Sequence, residues 1–392
     1  MGAPVSGNIK RTFAPPVMEA YRWLDGVEFP TDRPLINVSQ AAPAAPPPQE
    51  LRQAIADIAL NDDSAHLYGP DLGLPTLRAQ IATDWSRIYG GTVTPDQVAI
   101  TSGCNQAFTA AMTTLAEAGD EVILPTPWYF NHKMHLDMQG ITAVPLPTGD
   151  TLLPDPAQAE RLITPRTRAI VLVTPNNPGG VEYPATLVRA FYELAKRHDL
   201  ALLLDETYRD FDSRSAPVHD LFTAPDWPDT LIQLYSFSKA FRLTGHRIGS
   251  MVASVERLAQ VEKYIDTVTI CPNQIGQRAA LWGMRNLGDW LAGERAEILE
   301  RRAAIRQGFD RLPNWQLLGL GGFFAYVRHP FDLPSDEVAR LMVAKAGILL
   351  LPATFFKPTD DPTAKQELRI AFANIDTRQI KTLFDRLENL TL

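Results

Sequence analysis

From about Leu51 onward, short apolar runs alternate with longer stretches whose apolar residues recur at helical spacing. The runs predict strands at Val98–Thr101, Glu121–Leu124, Ala169–Val173, Ala201–Leu204, Thr230–Tyr235 and Arg247–Val252. Helical stretches such as Gln106–Ala116 and Pro184–Arg197 lie between them. Strands that are apolar throughout are buried on both faces, and intervening helices supply the crossovers of a mainly parallel sheet. The expected fold is therefore α/β, with helices on both faces of the sheet. Residues ahead of Leu51 read as irregular and proline-rich, ending in Pro46-Pro47-Pro48. After Pro272 the pattern changes to long helices. Leu291, Ile298, Ile305, Phe309 and Leu312 form the core stripe of one helix spanning Leu287–Leu312. A glycine-rich stretch, Leu318–Val327, reads as a hairpin and leads into a final α/β segment. A chain of 392 residues suits two domains. The expected division is a large domain over residues 46–279 and a smaller one from 1–45 plus 280–392.

Composition narrows the function classes. Apolar residues make up 45% and charged residues 21%, enough for a large core. A formal charge of −8 argues against nucleic acid, which needs a basic face. The Glu297/Arg301 spacing is that of an exposed helical ion pair. Two cysteines, Cys104 and Cys271, cannot build a disulfide framework, which points to a reducing cytoplasm. The first residues lack the apolar core of a signal peptide, and no run approaches the ~20 apolar residues that span a bilayer. A soluble, cytoplasmic protein without a membrane partner is expected.

Candidate chemistry clusters just after the apolar runs, where ligands bind in open parallel sheets. Lys239, in TLIQLYSFSKAFRLTGHRIG, is costly to bury unless neutral or paired, and a neutral amine condenses with an aldehyde. A lysine snorkelling from a strand end explains this residue alone; its neighbours change the balance. Ser236 and Arg247 supply a hydroxyl and a guanidinium, donors suited to a phosphate monoester. Asp205 ends the run LALLLD and needs a cation, for which a protonated ring nitrogen would serve. At ~4 Å and an effective dielectric near 20, that attraction is about 4 kcal/mol, or roughly three pKa units. Tyr208 is placed to donate to a ring oxygen. In TSGCNQAF, Gly103 admits a close ligand and the amides of Cys104 and Asn105 point toward an anion, although the same shape also caps ordinary helices. Tyr129 in LPTPWYFNH offers a stacking ring, and Asn177 in TPNNPGG a donor, against plain core packing and turn chemistry. Arg369 in LRIAFANI suits bidentate capture of a carboxylate, or a surface salt bridge. His132 and His135 lack a third ligand, so no metal site is expected, and they read as surface or pocket-rim residues.

With YGPDLGLPTLR, TSGCNQAF, TPNNPGG, DETY and SFSKAFRLTGHRIG in this order, the chain resembles the class I/II aminotransferases of pyridoxal-phosphate fold type I. The resemblance runs from about Ile36 to Ala373. It implies pyridoxal 5'-phosphate as cofactor, with Lys239 forming the Schiff base and shuttling a proton. It implies that Asp205 pairs with the pyridine nitrogen, that Tyr208 and Asn177 contact the ring oxygen, and that Tyr129 stacks on the ring. Ser236, Arg247 and the Gly103-Cys104-Asn105 amides would hold the phosphate. Tyr68 would reach the phosphate of a neighbouring subunit in a homodimer, and Arg369 would bind the substrate α-carboxylate. Two departures bear on the substrate: Ala41 stands where the family usually has a glycine, with its N–H toward a carboxylate, and Gly179 replaces the usual threonine of the NPTG turn.

The implied activity is amino-group transfer between an amino acid and a 2-oxo acid in two half-reactions. Lyase, decarboxylase or synthase chemistry on the same cofactor is the alternative, and a non-catalytic regulator a remoter one. No lysine or arginine occurs in Phe108–Leu115 or Thr267–Gln274, which favours neutral or aromatic donors over acidic ones.

Overall fold

The structure is a computed structural model describing residues 3–43, 45–215 and 217–392. Thirteen strands occur among these residues. In chain order they are β1 (Ile36–Asn37), β2 (Val98–Thr101), β3 (Glu121–Thr126), β4 (Thr142–Pro147), β5 (Thr167–Val173), β6 (Ala201–Asp205), β7 (Leu231–Ser236) and β8 (Gly249–Val252). The remainder are β9 (Gln316–Gly321), β10 (Phe324–Arg328), β11 (Ile348–Leu349), β12 (Leu351–Pro352) and β13 (Glu367–Ala371).

Seven strands form the large sheet in the order β2-β8-β7-β6-β5-β3-β4. Every residue of β2, β3, β6, β7 and β8 is buried, as two-sided coverage requires. Only β8 runs antiparallel to its neighbours. Its entry therefore lies at the same edge as the exits of the parallel strands, which brings Arg247 beside them. Arg247 itself sits in a left-handed turn, φ 53°, so the strand begins at Gly249 rather than at Arg247 as expected. Strand β4 escaped the sequence reading: it is a partly exposed edge strand carrying Pro145 and Pro147, tolerable only where no further strand pairs.

Helix Cys104–Thr113 packs against β7 and β8, and helix Ala185–Arg197 presents Val188, Phe191, Tyr192, Leu194 and Ala195 to the core. Glycines in left-handed geometry end helices Pro75–Tyr89 and Phe130–Gln139, at Gly90 and Gly140. The second sheet, β12-β13-β10-β9, is antiparallel and contains the expected glycine-rich hairpin. Helix Gly288–Phe309 packs on the terminal helix Thr377–Glu388 through Ile305, Phe309 and Phe384. Its exposed Glu297 and half-buried Arg301 pair at 2.9 Å.

The segment read as irregular contains two short helices, Gly7–Arg11 and Pro16–Arg22. The second starts with proline at its first turn, where a missing N–H costs nothing. Its Ala20 packs with Phe130, Leu351 and Phe356.

Candidate active site

At the carboxyl edge of the large sheet lies a partly enclosed cleft. Strand ends in register build it: Val173 is paired with Asp205, and Ser236 with Gly249. Cys104, Asn105, Tyr129, Asn177, Asp205 and Tyr208 line one part of it, and Ser236, Lys239 and Arg247 another.

Lys239 rides the short helix Phe237–Ala240, which Ser236 caps by accepting from the Ser238 N–H at 3.3 Å. Burial, followed by the Arg247 and Arg369 charges, pulls the Lys239 ammonium down to about 8. Its Nζ donates to the Ala41 carbonyl at 2.6 Å. The expectation for Ala41 concerned its N–H; it meets the site through its carbonyl.

Asp205 is 4% exposed. Burial alone would push its carboxyl up, but His132 and the Thr207 donors outweigh that and hold it below its ordinary range. Thr207 N donates to Oδ1 at 3.0 Å, and His132 Nε2 lies 3.4 Å from Oδ2. His132 is therefore a site residue and not a surface or rim group: it is 2% exposed and stacked on Phe108 at 3.9 Å between centroids. The sequence signal was its place on helix Phe130–Gln139, three residues beyond Tyr129, where it turns inward. Thr207 and Ser238 also line the cleft and were not singled out from the sequence.

Gly103 has φ +86°, and a Cβ there would stand 2.3 Å from Arg247 Nη2. Only glycine lets the guanidinium lie against the start of helix Cys104–Thr113, whose free amides face the same space. Arg247 Nη1 donates to Ser238 Oγ at 3.2 Å and to the Thr244 carbonyl at 3.0 Å, leaving Nη2 for a ligand. Burial, then the Asp205 charge, keeps the Cys104 thiol protonated, so it is no nucleophile. Tyr208 is pushed far up by burial and remains a phenol, a donor; its ring lies 6.0 Å from Lys239 Nζ.

Arg369 comes from β13, 2% exposed, with no ion-pair partner among the described residues. Its Nη1 donates to Asn177 Oδ1 at 3.0 Å, its Nη2 to the Ser39 carbonyl, and its Nε has no partner. The guanidinium lies 5.1 Å from the Phe324 ring centroid and 4.9 Å from that of Phe356. It is thus no surface salt bridge. Because Asn177 Oδ1 accepts from Arg369, its amide N–H groups are left to point at a ligand. Tyr68 stands apart from this cleft, 80% exposed, on a groove it shares with Cys271 and Gln274.

A buried amine and a paired carboxylate line one cleft, with an unpaired guanidinium behind Asn177, a set of groups suited to lysine chemistry on small anionic molecules. The family "Aminotransferase class I and II" matches residues 33–387, and the chain belongs to that family. A probable aspartate/prephenate aminotransferase of Thermus aquaticus is 30% identical over 294 residues, covering 74% of this chain and 76% of its own. A valine–pyruvate aminotransferase of Mycobacterium tuberculosis is 30% identical over 374 residues, 93% of each chain. The structure of Thermus thermophilus aspartate aminotransferase with maleate superposes with a TM-score of 0.89, at 23% identity over 99% of this chain and all of that one. The protein is an aminotransferase.

Proposed function

We propose that this aminotransferase works with pyridoxal 5'-phosphate, moving an amino group from an amino acid to a 2-oxo acid by a ping-pong mechanism. The observation that carries the reading is the buried Arg369 guanidinium, without a carboxylate of its own and joined through Asn177 to the cleft holding Lys239. The cavity's donor set fits the cofactor: Arg247, Ser236 and the Gly103–Asn105 amides for a phosphate, Asp205 for a ring cation, and Tyr208 and Asn177 for a ring oxygen. Tyr129 is placed to cover the ring. When bound, the cofactor supplies the aldehyde and the electron sink that the transfer needs.

The chain's own residues then divide the work. Arg369 grips the substrate α-carboxylate and fixes its α-carbon over Lys239. The Lys239 amine, neutral above about pH 8, is the group that would take up and give back the α-proton at Nζ. Asp205, held anionic by His132 and Thr207, keeps a proton on the ring nitrogen.

No further free cation faces the cleft among the described residues. Lys133 Nζ lies 2.5 Å from Asp137, and Lys357 Nζ 2.5 Å from Glu367. Neutral or aromatic donors are therefore favoured. Tyr68 and Leu67 are exposed apolar side chains on one groove, which suits a homodimer in which Tyr68 completes the neighbour's phosphate site. The expected domain cut at 279 falls inside helix Gln274–Asn286, whose Ala279 and Ala280 belong to the large core, so we place it after that helix. No helix among the described residues is long and apolar enough to cross a membrane. The free thiols of Cys104 and Cys271 suit a reducing cytoplasm, where we place the protein.

A panel of amino donors with the loaded enzyme tests the reading. Phenylalanine, methionine and alanine should each yield a stoichiometric 2-oxo acid and the aminated cofactor. Release of ammonia in place of the 2-oxo acid contradicts transfer, and aspartate far outperforming the others contradicts the donor preference.

A further inference from the structure

Directly after Asp205 the chain turns Glu206 to the opposite face of the sheet, where it is fully buried. Its Oε2 accepts from Tyr89 Oη at 2.7 Å and Gln233 Nε2 at 2.8 Å, and His219 Nε2 stands 3.3 Å away. Each of these partners is itself fixed. His219 Nδ1 accepts from the Leu221 N–H at 3.1 Å, which puts the ring proton on Nε2, facing the carboxylate. Gln233 Oε1 accepts from Trp85 Nε1 at 3.0 Å, which turns its amide N–H toward Glu206. Arg209 lies between the Trp85 and Tyr235 rings, 4.0 Å and 4.5 Å from their centroids, and donates to Tyr89 Oη at 3.3 Å. Tyr235 Oη in turn donates to Asp210 at 2.5 Å.

None of these groups lines the cleft, yet a carboxylate is an expensive anchor to bury when an apolar residue could fill the space. What the web holds is the end of β6, on which Asp205 stands, against Gln233 of β7. Glu206 N donates to the Leu234 carbonyl at 2.9 Å, and Arg209 N to the Glu206 carbonyl at 3.0 Å. The side chain and backbone of Glu206 thus fix the peptide on which Asp205 stands.

We propose that Glu206 is a positioning residue for the cofactor: anchored by Tyr89, His219 and Gln233, it sets the orientation in which Asp205 meets the ring nitrogen. The proposal rests on the reading that Asp205 faces the cofactor ring. Glu206→Gln is nearly isosteric and keeps an acceptor for the donors, but it loses the charge that holds all three. Because the effect passes through Asp205, it must vanish when Asp205 can no longer pair.

The test is a double-mutant cycle read as the dissociation constant of pyridoxal 5'-phosphate, by quenching of tryptophan fluorescence, with inorganic phosphate titrated in parallel. Glu206→Gln should weaken cofactor binding about fivefold or more in the natural sequence, and less than about twofold in an Asp205→Asn background. Phosphate affinity should stay unchanged, since the Arg247 end of the cleft is untouched. Tyr89→Phe, which keeps the ring and removes one donor, should act in the same direction more weakly, and serves if Glu206→Gln does not fold. Equal factors in both backgrounds, no effect in either, or a matching loss of phosphate affinity overturn the proposal. If Asp205→Asn alone leaves cofactor binding unchanged, the reading of Asp205 fails first, and the two failures are told apart.

Discussion

Replacing Arg369 with methionine separates the cost of holding a buried cation from its use. Burial draws the Arg369 guanidinium well below its ordinary value, to about 10, with only the Tyr208, Tyr129 and Tyr326 hydroxyls working against it. A lowered folded value for a base means that the charged form is disfavoured in the fold, and the whole cost is present at every pH below about 10. A fall of that size corresponds to about 3 kcal/mol. Methionine removes this cost and leaves the acceptors on Asn177 and Ser39 unpaired, a loss of about 1–2 kcal/mol each. The two nearly cancel, so the stability of the cofactor-free protein should change by less than about 1 kcal/mol. Catalysis should not escape so lightly. Two charge-assisted hydrogen bonds to a carboxylate contribute about 3–4 kcal/mol, which predicts a fall in kcat/KM of roughly 10²–10³-fold. Urea unfolding and steady-state kinetics on the same preparations decide it. A variant within about threefold of the parent kcat/KM refutes the assignment, and one destabilised by several kcal/mol refutes the cancellation.

Two further outcomes follow from the same site. The rate of covalent capture of the cofactor by Lys239 should rise with pH about a midpoint near 8, because only the neutral amine attacks and burial has brought the ammonium down to about 8; stopped-flow absorbance across pH 6–10 checks it, and a midpoint near the ordinary lysine value of 10.5 contradicts the burial argument. His132→Phe keeps the stack on Phe108 but strips Asp205 of a donor, so its carboxyl should titrate higher and cofactor binding weaken roughly tenfold, the equivalent of about 1.4 kcal/mol; unchanged affinity by equilibrium dialysis would show that Thr207 alone suffices.

The core of the site was legible because strand burial and strand termination are local signals. Ala201–Leu204 must be a buried strand, so the Asp205 that closes it must be satisfied, and the same logic picks out Lys239 after Leu231–Ser236. Long-range contacts left less trace. His132 looked like half of an incomplete metal pair, and only the packing of helix Phe130–Gln139 on Phe108 turns it to Asp205. Strand β4 was hidden by Pro145 and Pro147, which read as loop in isolation and are allowed because the strand has a neighbour on one side only. The N-terminal helices are too short for periodicity to show, and tertiary contacts such as Ala20 against Phe356 hold them. The role of Ala41 depended on which backbone atom faces Lys239, a matter of loop conformation that composition does not encode.

The central claim is that the amine at position 239 takes up the cofactor. Borohydride reduction of the loaded protein, followed by peptide mass mapping, tests it at the atom concerned. The account predicts one phosphopyridoxyl group per chain, on Lys239, and none in Lys239→Ala. Label on another lysine, or full turnover by the alanine variant, would contradict it.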